Sequence, residues 1–223
     1  MKYEKYIKLR AKNINKIRKK EYKKYKKQQK IKDRYFKNIH LEVFFGTPGS
    51  GKTTLAAWYA KKAIKLGINV YSNVPIKGTY KIDVKEDLGK YLIEECLLII
   101  DEAGLEHNNR EFKTFSRENR YFYKMHRHYR AKVIVFSQAD DMDLVIRNLA
   151  YKFWLVKKSI IPYFVTAKGI HKYIGIDNIS HEIKSMFEFD FFLFNKWIFA
   201  PPCWKLFDTY EAKKLPEKKF EKW

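Results

Sequence analysis

Cysteine, long apolar runs and acidic side chains are all scarce in this sequence, and each scarcity excludes something. The 223 residues hold two cysteines, Cys96 and Cys203. Neither has a C-x-x-C partner or histidines at zinc-ligand spacing, so no disulfide framework or structural zinc site is expected, and a reducing cytoplasm is. No uninterrupted apolar run reaches about 18 residues, so no transmembrane span is expected. The N-terminus is charged from its second residue onward, so no secretory signal is expected either. Acidic residues number 25 against 47 Lys and Arg, giving a formal net charge of +22 and a pI near 9.7. Such an excess calls for a polyanionic partner, either nucleic acid or an anionic membrane surface. Nine of the 47 basic residues are arginines, a bias that an AT-rich genome also produces.

Apolar residues make up 46% of the chain. That is enough to bury a sizeable core, most simply one α/β domain with appendages. The sequence is organised around Leu41-Glu-Val-Phe-Phe-Gly-Thr-Pro-Gly-Ser-Gly-Lys-Thr-Thr54. Gly46, Gly51, Lys52 and Thr53 fit the pattern G-x-x-x-x-G-K-S/T without a mismatch, with Thr47, Pro48, Gly49 and Ser50 inside the loop and Thr54 after it. In such a loop the missing side chains let backbone N–H groups converge on phosphate oxygens. The following helix adds its positive end. The context agrees: Leu41 to Phe45 reads as a buried strand, and Thr54 to Leu66 as a helix stopped by Gly67. This predicts a site for ATP and Mg²⁺. Lys52 would reach the β- and γ-phosphates, and the Thr53 hydroxyl would ligate the metal.

Residues 1–38 differ in composition from the rest. They carry 17 Lys/Arg against Glu4, Glu21 and Asp33, with no glycine or proline, which predicts a long basic helical arm. Its apolar stripe (Tyr3, Ile7, Ile14, Ile17, Tyr22, Tyr25) is ragged. Three readings stand open for it. Lysines and tyrosines suit a nucleic-acid arm; the same residues suit a helix on anionic lipid; and a solvated lysine-rich tail needs no partner.

Residues 39–159 alternate strands and helices. Strands are expected at 69–72, 80–84, 96–102, 132–138 and 151–156. Helices are expected at 87–94, within 105–130 and at 142–149. The pattern predicts an α/β P-loop NTPase of RecA-like (ASCE) type, with a mainly parallel sheet flanked by helices. Residues 160–223 read as a small β-rich, aromatic C-terminal extension. It would open with a hairpin over 161–176 that turns at Lys168-Gly169.

Cys96-Leu-Leu-Ile-Ile-Asp-Glu102 is an apolar strand ending in two carboxylates. Asp101 at its carboxyl end would hold magnesium, and Glu102 would polarise the attacking water as general base. Gln138 ends the strand 132–138 and should emerge at the same edge, positioned to contact the γ-phosphate. An arginine finger from a neighbouring subunit is the usual complement in a translocating ATPase. Arg147 and Arg127 are the preferred candidates among Arg110, Arg120, Arg127, Arg130 and Arg147. His126 and His128 have metal-ligand spacing but no third ligand in view.

Taken together, Gly46-Thr-Pro-Gly-Ser-Gly-Lys-Thr53, Tyr71-Ser-Asn-Val-Pro75, Ile99-Ile-Asp-Glu-Ala-Gly104, His126-Arg-His128 and Val135-Phe-Ser-Gln138 resemble the Zot-like family, the zonula occludens toxin N-terminal ATPase domain related to filamentous-phage assembly proteins. The resemblance spans roughly residues 40–158. It implies an ATPase of the FtsK/HerA-like branch that drives DNA into a capsid or extrudes a genome, with Lys52, Thr53, Asp101 and Glu102 as its nucleotide residues. It also implies DNA gripped without base readout and a homo-oligomeric ring, for instance a hexamer. Filamentous-phage members typically continue into one membrane span. The best candidate here, Met186 to Ala200, is aromatic but carries Glu188, Asp190, Asn195 and Lys196, which are costly in hydrocarbon. That stretch suits an interfacial membrane contact, a capsid or pore protein, or an extra strand of the core. The leading expectation is a DNA motor of virion assembly in the host cytoplasm. The alternative is a scaffold held peripherally at the inner face of the membrane, with nucleotide as a conformational switch.

Overall fold

The computed structural model describes residues 2–101, 116–138, 144–176, 183–191 and 195–207. Among them the strands are β1 (Leu41–Phe45), β2 (Asn69–Ser72), β3 (Tyr80–Lys81), β4 (Cys96–Ile100), β5 (Lys132–Ser137), β6 (Lys152–Lys158), β7 (Phe164–Ile176), β8 (Ile183–Phe189) and β9 (Lys196–Phe199). The helices are α1 (Lys2–Tyr35), α2 (Lys52–Lys65), α3 (Arg117–Met125), α4 (Leu144–Leu149) and α5 (Pro201–Trp204). All the strands join one sheet in the order β3-β2-β4-β5-β1-β6-β7-β8, with β9 also paired to β7. Pairings from β3 to β6 are parallel; β7, β8 and β9 pair antiparallel.

The central strands read as continuous apolar runs because both faces of a parallel sheet are covered. β4 is buried at every position. Alternate residues feed two cores: Phe44, Leu97, Ile99, Ile134 and Phe136 face α2, whereas Val43, Leu98, Ile100, Val133 and Val135 face Phe122 and Tyr123 of α3. The strands beyond residue 160 extend this same sheet.

Three local expectations change. Residues 87–94 form turns instead of a helix. Asp83 and Asp87 satisfy the backbone there, with Asp87 Oδ2 accepting from Asp83 N at 2.8 Å and Asp83 Oδ1 from Lys85 N at 2.8 Å. Gly89 then takes a left-handed φ of 83° while lying against the backbone of Glu118. The edge strand expected over 80–84 is only Tyr80–Lys81. The supposed turn at Lys168-Gly169 lies inside the single strand β7. Gly169 is needed for close approach: a Cβ there would run into the Asp190 carboxyl. Asp190 N donates to Gly169 O at 2.8 Å, while its carboxylate pairs with Lys152 and, at 2.9 Å, with His171.

The basic arm is helical over Lys2–Tyr35, about 51 Å at 1.5 Å per residue. Its described apolar stripe is solvent-facing, Ile14, Ile17, Tyr22 and Tyr25 being 44–59% exposed. Its C-terminal end docks, with buried Phe36 just after it and Tyr35 and Ile39 packed beside it. No helix among the described residues is long and apolar enough to cross a membrane.

Candidate nucleotide-binding site

Strand order assembles the site. β5 lies between β1, which leads into the glycine loop, and β4, which ends at Asp101. The three strands are parallel, so Gly46, Asp101 and Gln138 emerge at one carboxyl edge, where open α/β sheets bind ligands. Gly46 N donates to Ser137 O at 3.4 Å, tying the loop to the end of β5. Gln138 follows directly and is exposed.

The loop's glycines are there for space. A Cβ on Gly46 would stand 2.6 Å from Val156 O and 2.8 Å from Ser50 Oγ, and one on Gly51 would stand 2.6 Å from a Val165 methyl. Gly51 caps α2 at φ 102°, in the left-handed region. Thr47, Pro48 and Gly49 form the exposed rim. Ser50 is buried, and its Oγ has no hydrogen-bond partner among the described residues. Thr54 is buried in the first turn of α2, which carries no acidic residue.

Lys52 folds back over the loop, donating to Gly46 O at 2.8 Å and Thr47 O at 3.2 Å. Thr53 Oγ1 donates to Asp101 Oδ2 at 3.1 Å, so the hydroxyl and carboxylate named from two separate motifs touch. The Asn73 carboxamide brackets the Asp101 backbone: Nδ2 donates to Asp101 O at 2.9 Å, and Oδ1 accepts from Asp101 N at 2.8 Å. This residue was visible in the sequence only as part of Tyr71-Ser-Asn-Val-Pro75. The available signal was a carboxamide directly after a strand that neighbours the aspartate strand.

These groups fit a magnesium nucleotide. A hydroxyl and a carboxylate already in contact are hard oxygen donors of the kind Mg²⁺ takes. The glycine-spaced cradle, the Ser50 hydroxyl with no hydrogen-bond partner among the described residues and the Lys52 ammonium, resting on carbonyls, suit phosphate oxygens.

Other expected residues lie elsewhere. Glu102 and Arg110 fall outside the described residues. Arg127 sits in the turn before β5, electrostatically coupled to His40, which precedes β1. It is therefore at the opposite sheet edge from Lys52, about 17 Å away along the five residues of β1. Arg147 is exposed in the last turn of α4, which leads to Tyr151 beside Leu41 at that same far edge. Arg130 is engaged by Asp33 at 2.9 Å and Glu95 at 3.3 Å. Arg120 is exposed on α3. His126 is buried, its Nδ1–H donating to Tyr123 O at 2.6 Å, and burial pushes its pKa down. No cluster of three potential metal ligands occurs among the described residues. Burial pushes the Cys96 thiol up to about 12 and raises that of Cys203, so both are poor nucleophiles.

No protein-family model matches the chain, and no curated protein sequence does. Solved structures do. The N-terminal domain of zonular occludens toxin from Neisseria meningitidis superposes with a TM-score of 0.52 at 18% identity, covering 76% of this chain and 99% of that domain. The genome packaging NTPase B204 from Sulfolobus turreted icosahedral virus 2, in complex with ATP-gammaS, gives 0.42 at 13% identity over 66% and 96%. The flagellar accessory protein FlaH from Methanocaldococcus jannaschii gives 0.44 at 12% over 68% and 94%. Only the first carries weight, and it speaks for fold. With the P-loop geometry in place, the chain has an α/β P-loop NTPase fold similar to that of the zonular occludens toxin N-terminal domain.

Proposed function

We propose that this chain is an ATP-hydrolysing motor that moves DNA during virus or phage assembly. The observation that carries the ATPase reading is the Thr53–Asp101 contact, beside Lys52 at an edge shared with Gln138. The motor reading draws support from the Zot-like motifs, the fold and the net charge of +22.

In this reading Lys52 leaves its two loop carbonyls for the β- and γ-phosphate oxygens. Thr53 and Asp101 would hold Mg²⁺, which would supply positive charge to neutralise the phosphate oxygens. Glu102, next in sequence to Asp101, orients and deprotonates the attacking water. Gln138 contacts the γ-phosphate end. Arg127 and Arg147 lie away from their own chain's loop, so either acts as a finger only across a boundary with another copy, as a homo-oligomeric ring supplies. DNA is gripped through its phosphates, without base readout.

A membrane-associated scaffold is the second reading, favoured by the exposed basic stretch of α1 over residues 14–28. Steady-state ATP hydrolysis, alone and with single- or double-stranded DNA, separates the two. DNA stimulation lost in both Lys52→Ala and Glu102→Gln supports the motor. Hydrolysis indifferent to any DNA, with flotation on anionic vesicles that requires residues 1–38, supports the scaffold.

A further inference from the structure

On the side of α3 and α4, the sheet changes character beyond β6. Phe153 and Ile170 are buried there in the core that Phe122, Tyr123 and Ile146 close, and past them the face is open. Register fixes which side chains occupy it, because residues paired across a sheet share a side. β9 sets Phe199 opposite Phe164 and Trp197 opposite Thr166, while β8 sets Phe189 opposite Ile170 and Phe187 opposite Lys172. All four partners are even-numbered positions of β7, so the four rings share one face, away from α2. Ring contacts agree, with centroids 5.4 Å apart for Phe164 and Phe199 and 5.6 Å for Phe153 and Phe187. The odd-numbered Val165 and Ala167, with Ile198 opposite Val165, turn into the α2 core instead. The four rings form a row of about 27 Å along β7. They are 50–54% exposed, unusual for side chains of this size.

We propose that this face binds single-stranded nucleic acid. Cations stand among the rings. Lys168, at an even position of β7 between the two ring pairs, holds its Nζ 4.3 Å from the Phe189 centroid. Lys157 is exposed on the same side, where it pairs with Thr166. Acidic groups are turned away from the face. Glu188, the acidic residue of β8, pairs with His171 on the opposite side. The Asp190 carboxylate is held on that opposite side by Lys152 and His171. Interleaved cations and π faces are what a single strand needs, since phosphates meet the lysines while bases stack on the rings. Rings two residues apart on a strand stand about 6.8 Å apart, roughly twice the 3.4 Å rise of bases in a duplex. An intact duplex keeps its bases stacked and offers these rings only edges, so the site selects single strands.

Two other occupants fit less well. Lys168 lies in the middle of the row, where hydrocarbon would make its charge costly, so a lipid surface suits the face poorly. A second copy of the face would set Lys157 and Lys168 against charges of the same sign, in a chain of net charge +22. The face also has a route to the phosphate site. Val165, between Phe164 and Thr166 on β7, points the other way and lies against Gly51, where an added Cβ would stand 2.6 Å from its methyl. A nucleic-acid strand stacked on Phe199 and Trp197 therefore bears on the β-strand whose reverse side braces the P-loop.

The inference deepens the motor reading, and its test is chosen so that the two fail separately. The full-length protein is titrated with fluorescein-labelled oligo(dT), with the matching duplex and with phosphatidylserine vesicles, following tryptophan fluorescence and oligonucleotide anisotropy. About 0.3 M salt weakens contacts made by charge alone, those of the basic arm included. Trp197→Ala and Phe189→Ala should each weaken oligo(dT) binding by roughly 5- to 150-fold for the loss of one stacked base. Trp197→Phe should keep the affinity while losing part of the tryptophan quenching. Replacing Lys157 and Lys168 by alanine should flatten the salt dependence by about 1.4 in log–log slope, near 0.7 per phosphate. Equal oligo(dT) affinity in wild type, Trp197→Ala and Phe189→Ala would overturn the proposal. So would duplex binding that falls equally in Trp197→Ala, or quenching by vesicles but not by oligonucleotide. DNA-stimulated hydrolysis that survives those variants unchanged leaves the motor intact and removes the aromatic face from it. Oligo(dT) bound through Trp197 without any stimulation of hydrolysis keeps the face and removes the motor.

Discussion

The Asn73 carboxamide holds both the N–H and the C=O of Asp101, at 2.8 and 2.9 Å, just past the last backbone pairing of their strands, Ser72 opposite Ile99. The side chain thus continues the ladder by one more step, fixing the height at which the Asp101 carboxylate leaves the sheet and meets Thr53. Asn73→Ala is expected to cost about 1–3 kcal/mol of stability for two lost hydrogen bonds. It should also lower magnesium-dependent hydrolysis by tenfold or more. Asn73→Asp cannot donate to Asp101 O and should behave similarly. Urea unfolding and steady-state hydrolysis on both variants check this; normal turnover in Asn73→Ala would remove Asn73 from the site.

The glycine loop should tolerate no methyl. Gly51→Ala combines a left-handed backbone, about 1–2 kcal/mol, with a clash on Val165. Gly46→Ala drives a Cβ into Val156 O, a backbone atom that cannot rotate aside, for about 1–3 kcal/mol. Each kcal/mol lowers Tm by about 2–4 °C in a chain of this size. Both variants should melt lower and lose binding of a fluorescent ATP analogue. Lys52→Ala should lose hydrolysis by about 100-fold or more with little change in Tm, since among the described residues Lys52 bonds to two loop carbonyls.

The arm's attachment offers a contrast of magnitudes. Lys32–Glu95 at 2.9 Å, Arg130–Glu95 at 3.3 Å and Arg130–Asp33 at 2.9 Å form an ion-pair chain at the root of α1. All are partly exposed, so Glu95→Ala should cost no more than about 1 kcal/mol. Phe36 is buried, and Phe36→Ala should cost about 3–5 kcal/mol. Apolar docking therefore outweighs the ion pairs. Chemical denaturation of both variants, in low and high salt, measures the difference; a larger loss in Glu95→Ala would reverse this ranking.

A buried polar cluster ties β9 to β1. Lys196 Nζ donates to Glu42 Oε2 at 3.1 Å and to Tyr59, and lies 3.7 Å from the Trp154 ring centroid. Burial lowers the Lys196 pKa to about 8 against the pull of Glu42. Burial pushes Glu42 up, but Lys196 and Lys132 hold it below its ordinary value. Between the folded value near 8 and the ordinary 10.5, the unfolded chain binds more protons at Lys196, so this site makes stability rise with pH across that window. Cys96, raised to about 12 from an ordinary 9.0, Cys203, raised from the same value, and Tyr59, raised well above 10, are all shifted by burial and act oppositely once their unfolded groups ionise. The rise is therefore clearest between about pH 8 and 9. Lys196→Met should abolish it and cost about 3 kcal/mol at pH 7, the low end because Lys132 remains 3.6 Å from Glu42. Urea midpoints at pH 7, 8, 9 and 10 check both statements.

Much of this was legible before any coordinates because it is written in short stretches. The loop from Gly46 to Thr53, the buried run Cys96–Ile100 and the basic, glycine-free arm each carry their reason within a few neighbouring residues. Strand, loop and helix follow from chain geometry, and nucleotide chemistry follows from residue types. What only the tertiary structure decided involves residues distant in sequence. Leu41 pairs with Val133 across the sheet, and no local pattern announces that β5 must slide between β1 and β4 to bring Gln138 beside the loop. Asn73 needed its neighbour strand before its carboxamide had anything to hold. Lys168-Gly169 had the composition of a turn, but its glycine answers to Asp190. Arg127 shares a motif line with the site residues, yet the parallel register puts it at the far edge. Side-chain chemistry is local to the sequence; which side chains meet depends on register and packing that only the assembled sheet supplies.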